Sequence, residues 1–397
     1  MTGQRLSWPL RWTPRMDRFG AETVRRLYPG YFALVMATGI VSTGLRDVGR
    51  SVMSAVLLVI AMGCFAVLAI ATTVRVICFP REVLADLSSP DQAYVFFTFV
   101  AACGVLGDGV SAEGAPPAAA VLGGLGLFAW LGLSYGIPLR LILGSRSRPV
   151  LADVNGTWFM WAVGTQSLAV IAAVLGSGYP GAARLAGLVA VVMWSVGVLL
   201  YLIVAVLVLL RLLLLDVRPE DLTPPYWITM GATAISVLAA GQILRMPPTP
   251  AITAARPVIT GLAVLLWAFG TWLIPMLVLF GLRRYGLERH GLQEHAPRGH
   301  DLRGHDPRGH DLQGHDLRRH APSRARPGYR PQLWSVVFPL GMYAVAGMEF
   351  GRAAALPIIE QIGRVWVWVA FPVWAITFAA MLGALLRSPA RYGRRPG

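Results

Sequence analysis

Residues 28–42 read YPGYFALVMATGIVS, and this stretch decides the fold. From Phe32 it carries aliphatic residues broken only by glycine and small hydroxyls, and it opens the first of ten apolar segments. A helix of about 20 such residues is about 30 Å long, enough to cross the hydrocarbon core of a bilayer. One such run could be incidental, but ten define a polytopic membrane protein. The segments run roughly over 30–45, 51–74, 92–107, 117–139, 156–175, 184–210, 226–244, 257–281, 333–350 and 364–386.

Composition agrees. With 55% apolar and 14% charged residues in 397, a soluble fold would lack the polar surface to cover its cores. The formal charge of +15 brings nucleic acid to mind, yet the arginines sit in short loops and tails rather than along one face. Positive-inside topology accounts for them, so the partner expected is the lipid bilayer and not nucleic acid. Cys64, Cys78 and Cys103 lie within or at the ends of apolar segments, without a CxxC spacing, and read as packing thiols. The Arg-rich first 29 residues read as a cytoplasmic tail rather than a cleavable signal.

The arginines also orient the chain. There are 35 and no lysine. The N-tail, alternate loops and C-tail hold 6, 2, 3, 2, 11 and 4, which is 28, and the opposite loops hold 2, 0, 1, 2 and 2, which is 7. Both termini are therefore expected in the cytoplasm of a plasma-membrane protein. The expected division is a tail over 1–27, spans one to eight over 28–282, a cytoplasmic loop over 283–331, spans nine and ten over 332–388, and a tail over 389–397.

The spans alternate in kind. Even-numbered ones are rich in Leu, Val, Ala and Trp, as in LLYLIVAVLVLLRLLLL over 199–215, where Arg211 is expected to snorkel to the interface. Odd-numbered ones carry hydroxyls, amides and glycines, and in hydrocarbon such groups need partners or water. An inner ring of odd spans follows, with Thr38, Ser42, Thr98, Thr165, Ser236 and Met342 as candidate lining residues. The alternative for any one of them is small-residue helix packing with hydroxyls bonded to backbone.

From His290 to His320 all seven histidines recur every five residues. A step of five spirals around a helix rather than sharing a face, and the prolines and glycines there argue against helix. The tract reads as a disordered repeat expansion, with metal binding as the alternative.

Outside that tract there is no histidine, and no HExxH, GxSxG or P-loop occurs. The chain is expected not to be an enzyme, to hold no metal in a defined site and to use no cofactor. Glu349 and Glu360 lie beside Arg352 and Arg364 at span ends and read as interface ion pairs. A path with hydroxyls, no buried anionic charge and Arg46, Arg245, Arg256 and Arg352 at its outer mouth would favour anions. In the ninth span, Pro339 cannot donate to the carbonyl of Ser335 and predicts a kink. Phe338 beside it is either a ring aimed into a lumen or an ordinary packed side chain.

Four segments together carry a resemblance: YPGYFALVMATGIVS at 28–42, NGTWFMWAVGTQSLAV at 155–170, TPPYWITMGATAIS at 223–236 and WSVVFPLGMY at 334–343. In order and spacing they resemble the tellurite-resistance/C4-dicarboxylate transporter family, which includes TehA-like channels, fungal malate and sulfite transporters and the plant slow anion channels. The resemblance implies an all-α membrane fold of ten transmembrane helices as five helical hairpins around a quasi-fivefold central pore. It further implies a homotrimer with one pore per protomer and a pore-blocking Phe at the position of Phe338. Family channels kink several odd helices at prolines, whereas here Pro29, Pro224 and Pro225 stand at span starts and Pro339 alone is internal.

The reading is an anion channel or passive exporter for small inorganic or organic anions, gated by Phe338 and Pro339. Its rivals are a coupled C4-dicarboxylate, sulfite or tellurite-related transporter and a metal-responsive sensor using the His-rich loop.

Overall fold

A computed structural model describes residues 18–144, 149–216, 218, 221–294 and 329–387. The described residues form twelve α-helices and no strand. They are α1 (Arg18–Arg25), α2 (Phe32–Asp47), α3 (Ser51–Cys78), α4 (Pro80–Leu87), α5 (Phe97–Ala112) and α6 (Pro116–Leu143). The second half holds α7 (Met160–Gly178), α8 (Ala183–Leu214), α9 (Ile228–Arg245), α10 (Pro250–Glu294), α11 (Trp334–Ala353) and α12 (Pro357–Arg387).

Among the described residues nine helices are long and apolar enough to cross a membrane: α3, and α5 to α12. The segment that opened the reading forms α2, which has 16 residues and is buried from Phe32 through Leu45. The two classes of span separate in space. Windows of α5, α7, α9 and α11 are 78–83% buried, and those of α3, α6, α8, α10 and α12 only 22–28%. Contacts explain the split. Helix α2 packs on α5, α5 on α7, α7 on α9, α9 on α11, and α11 back on α2, closing a ring of five. Each ring helix pairs with the following long helix, α2 with α3, α5 with α6, α7 with α8, α9 with α10 and α11 with α12, so these form the outer layer. Apolar side chains of that layer, such as Leu199, Ile203 and Leu213, remain exposed, as a lipid-facing surface requires.

Small residues let an outer helix pack closely on the ring. A Cβ on Gly351 would stand 2.5 Å from the Glu360 nitrogen, and one on Gly363 2.6 Å from that of Met348, so the α11–α12 crossing admits no larger side chain. Indole groups then tie outer helices to ring helices. Trp130 of α6 donates Nε1–H to Thr165 Oγ1 on α7 (2.8 Å), Trp194 of α8 to the Ser236 carbonyl on α9 (2.9 Å), and Trp374 of α12 to Thr38 Oγ1 on α2 (3.0 Å). Each donor reaches the ring helix next to its own hairpin partner, so the ties link neighbouring hairpins.

Two expectations change. Arg211 does not snorkel into the interface: its side chain is 14% exposed, and it donates to the Ala152 carbonyl and Tyr226 Oη. A half-buried carbonyl and a buried phenol offer better acceptors than lipid. Helix α10 continues to Glu294, beyond the expected span end at 281, because residues 282–294 are mostly helix formers and no proline comes before Pro297. The rest of the His-rich tract lies outside the described residues.

Candidate functional site

All five ring helices begin in the same way. A 3-10 turn precedes each: Pro29–Tyr31, Ala93–Phe96, Gly156–Phe159, Pro224–Trp227 and Pro331–Leu333. Proline or a small residue starts the turn and an aromatic side chain follows, a recurrence that was present in the sequence but went unread. The turns touch one another in a closed ring of their own. Their approach is close, since a Cβ on Gly156 would run into the Pro225 carbonyl oxygen. A collar of five turns thus marks one end of the ring, here called the N-end because all five helices start there.

Two cavities open on the ring, one at each end. The N-end cavity is narrow, ≈ 20 Å³, and is bordered by Met36 of α2, Thr98 of α5, Met160 of α7, Ile228 of α9 and Phe338 of α11. Tyr28 also borders it. Burial, and then the Asp91 carboxylate, push the Tyr28 phenol up to about 12, so it stays neutral. The C-end cavity is wide, ≈ 470 Å³, and is bordered by Thr43 and Arg46 of α2, Asp108 of α5, Ser177 of α7, Arg245 of α9 and Glu349 of α11. Every ring helix therefore contributes to both cavities. Phe338, 1% exposed, borders the N-end cavity from the α11 side. Glu349 stands eleven residues on, about three helical turns and nearly the same face.

The sequence candidates fall into distinct places. Thr98 borders the N-end cavity, and its hydroxyl bonds the Val95 carbonyl at 2.7 Å. Thr38 and Thr165 accept the indole donors described above. Ser42 donates to the Ser54 carbonyl of α3 at 2.7 Å. These three hydroxyls bind inner helices to outer ones. Ser236 donates to the Ala232 carbonyl of its own helix, and Met342 is fully buried on α11. Pro339 packs close to α9, where a Cβ on Gly231 would meet its ring at 2.9 Å. Arg46 and Arg245 border the C-end cavity, while Arg256 donates to the Leu244 carbonyl and Arg352 pairs with Asp47, Glu349 and Glu360.

The expectation of a path free of buried carboxylates is overturned. Asp108 and Glu349 border the C-end cavity with side chains 13% and 7% exposed. Arg46 lies 4.0 Å from Asp108 and 3.8 Å from Asp47, and Arg245 forms an ion pair with Glu349. Apart from the neighbouring Arg46 and Asp47, the partners come from different helices far apart in sequence, so spacing along the chain did not bring them together. The expected pairs of Glu349 with Arg352 and of Glu360 with Arg364 are present, at 3.4 and 2.7 Å.

A protein-family model described as SLAC1, voltage-dependent anion channel, matches residues 26–382. An uncharacterized membrane protein of Mycobacterium tuberculosis, strain H37Rv, is 42% identical over 195 residues, covering 49% of this chain and 81% of that protein. An uncharacterized transporter of Methanocaldococcus jannaschii is 23% identical over 366 residues, covering 90% of this chain and 92% of its own length.

Proposed function

We propose, from the premise that this chain belongs to the SLAC1 family of voltage-dependent anion channels, that it is a passive anion channel closed by Phe338. The family places it in membrane anion transport. The passive route through the ring, and α2 as a tenth span completing a quasi-fivefold pore, are the present reading. The observation that carries it is the pair of cavities at opposite ends of the ring, each bordered by all five ring helices, with Phe338 bordering the narrow one.

Electrostatics favour anions on this route. Five parallel helices present their N-termini, and hence their positive dipole ends, to the N-end cavity. Their C-termini carry the opposite sign, and Arg46, Arg245 and Arg352 stand in the last turns of α2, α9 and α11, where cations offset it. The arginine distribution puts the N-end in the cytoplasm of a plasma-membrane protein, with both termini on that side. The sequence resemblance supports a homotrimer.

The test is Phe338→Ala in planar bilayers, with unfolding measured on the same preparation. A ring that plugs a lumen fills no packed core, so the variant should carry a larger ohmic nitrate or chloride current at little cost in stability. A ring that is core should leave a cavity, cost about 3–5 kcal/mol and add no current. The second outcome removes Phe338 as the gate.

A further inference from the structure

The C-end cavity concentrates more charge than a wide anion mouth needs. Its ion-pair network joins Arg46, Arg245, Arg352 and Arg364 to Asp47, Asp108, Glu349 and Glu360, four cations against four carboxylates. Formally the network is neutral. We propose that Asp108 and Glu349 form an acid-sensitive charge filter at this mouth, and the proposal rests on the passive anion pathway above. Ionised, they occupy Arg46 and Arg245 as internal counter-ions and compete with the passing anion. Protonated by the adjoining water, they release both guanidinium groups to it, and the mouth becomes positive.

The geometry singles out these two acids. They share the border of the ≈ 470 Å³ cavity with the two arginines, whereas Asp47 and Glu360 do not border it. The carboxylates lie deeper, 13% and 7% exposed, and the arginines stand nearer water, 28% and 41% exposed. An anion entering through the C-end therefore meets guanidinium groups already held from below. Around Glu349 stand Arg245 and Gln242 of α9, Arg352 of its own helix, Arg46 and Asp47 of α2, Asp108 of α5 and Glu360 of α12; Arg256 of α10 is engaged by the Leu244 carbonyl. With Glu349 neutral, Arg245 keeps, among the described residues, the amide oxygen of Gln242, 3.0 Å away. Neutral Ser111 and Ser177, also on the cavity wall, can complete the coordination of a small oxyanion. Because the filter sits in the mouth and not at Phe338, it sets how anions reach the pore without opening it.

The experiment records potassium nitrate currents in planar bilayers, for the wild type and the Phe338→Ala variant, with acid added to one chamber at a time. Acidification on the C-end side, from about pH 7 to about pH 4.5, should raise nitrate current about two- to tenfold, as added positive charge at the mouth would. Acid on the other side should not. Glu349→Gln and Asp108→Asn should give the raised current already at neutral pH and flatten the response. Should a single variant fail to fold, Glu349→Gln combined with Arg245→Gln removes both halves of the pair, and it should show low current with a reduced response. A nitrate current whose acid response survives in these variants overturns the filter, as does a proton flux that tracks nitrate stoichiometrically. Absence of nitrate current at every pH, in both wild type and Phe338→Ala, would instead overturn the anion pathway.

Discussion

Replacing Trp374 by Phe, with Trp267→Phe beside it, tests whether the indole ties hold the ring. The two residues occupy similar places on outer helices, but their donors differ. Trp374 gives Nε1–H to Thr38 Oγ1 at 3.0 Å, deep in the protein, and stacks on Phe371 and Phe378. Trp267 stacks on Tyr343, with 6.2 Å between centroids, and among the described residues its Nε1–H finds no acceptor. Both substitutions keep an aromatic ring and remove the same atoms, although Trp374 is buried and Trp267 only partly so. Trp374→Phe also loses a net hydrogen bond of about 0.5–1.5 kcal/mol and leaves Thr38 short of a partner, at about 1–3 kcal/mol. Trp267→Phe removes a buried donor that already lacks one, which is neutral or slightly favourable. The expected result is that Trp374→Phe is less stable than Trp267→Phe by about 1–3 kcal/mol. Thermal unfolding of the two purified variants in one detergent reads the difference. Equal losses, or a larger loss at Trp267, would show that the hydrogen bond to Thr38 does not hold α12 against α2.

Two further outcomes are expected. Three hairpin turns at the C-end close with a residue in the left-handed region, Gly49 (φ 80), Gly114 (φ 82) and Ala355 (φ 54). Ala355→Gly should therefore raise stability by about 0.5–1 kcal/mol, the relief of left-handed strain less the added freedom of the unfolded chain, and an unchanged Tm would count against the strain argument. Removing residues 295–319 should leave both Tm and anion current at wild-type values, since a stretch of Gly, Pro, His, Asp and Arg has little apolar area to bury; micromolar nickel or zinc that gates the intact protein would revive the sensor reading.

The layering of the fold was legible because it is written in composition. Leu, Val and Trp mark spans that meet lipid, and Gly, Ser and Thr mark spans that meet other helices, so the ring and its outer layer followed from residue type alone. The collar of 3-10 turns was legible in principle, from the recurring small-residue or proline start and the aromatic residue that ends the turn or, at Trp334, follows it. The roles of the hydroxyls were not. Thr38 and Thr165 read as lumen residues, but an indole on another helix takes each of them, and nothing local announces a partner so distant in sequence. Asp108 was overlooked for the same reason. It follows the apolar run of its span, and only the fold sets Arg46 beside it and the C-end cavity in front of it.

The central claim is that the ring conducts anions passively, and the reversal potential of the Phe338→Ala variant under a tenfold potassium nitrate gradient tests it most directly. A pore selective for nitrate should reverse close to the nitrate equilibrium potential, about 59 mV from zero on the anion side, with a linear current about that point. Reversal toward the potassium potential would contradict the account.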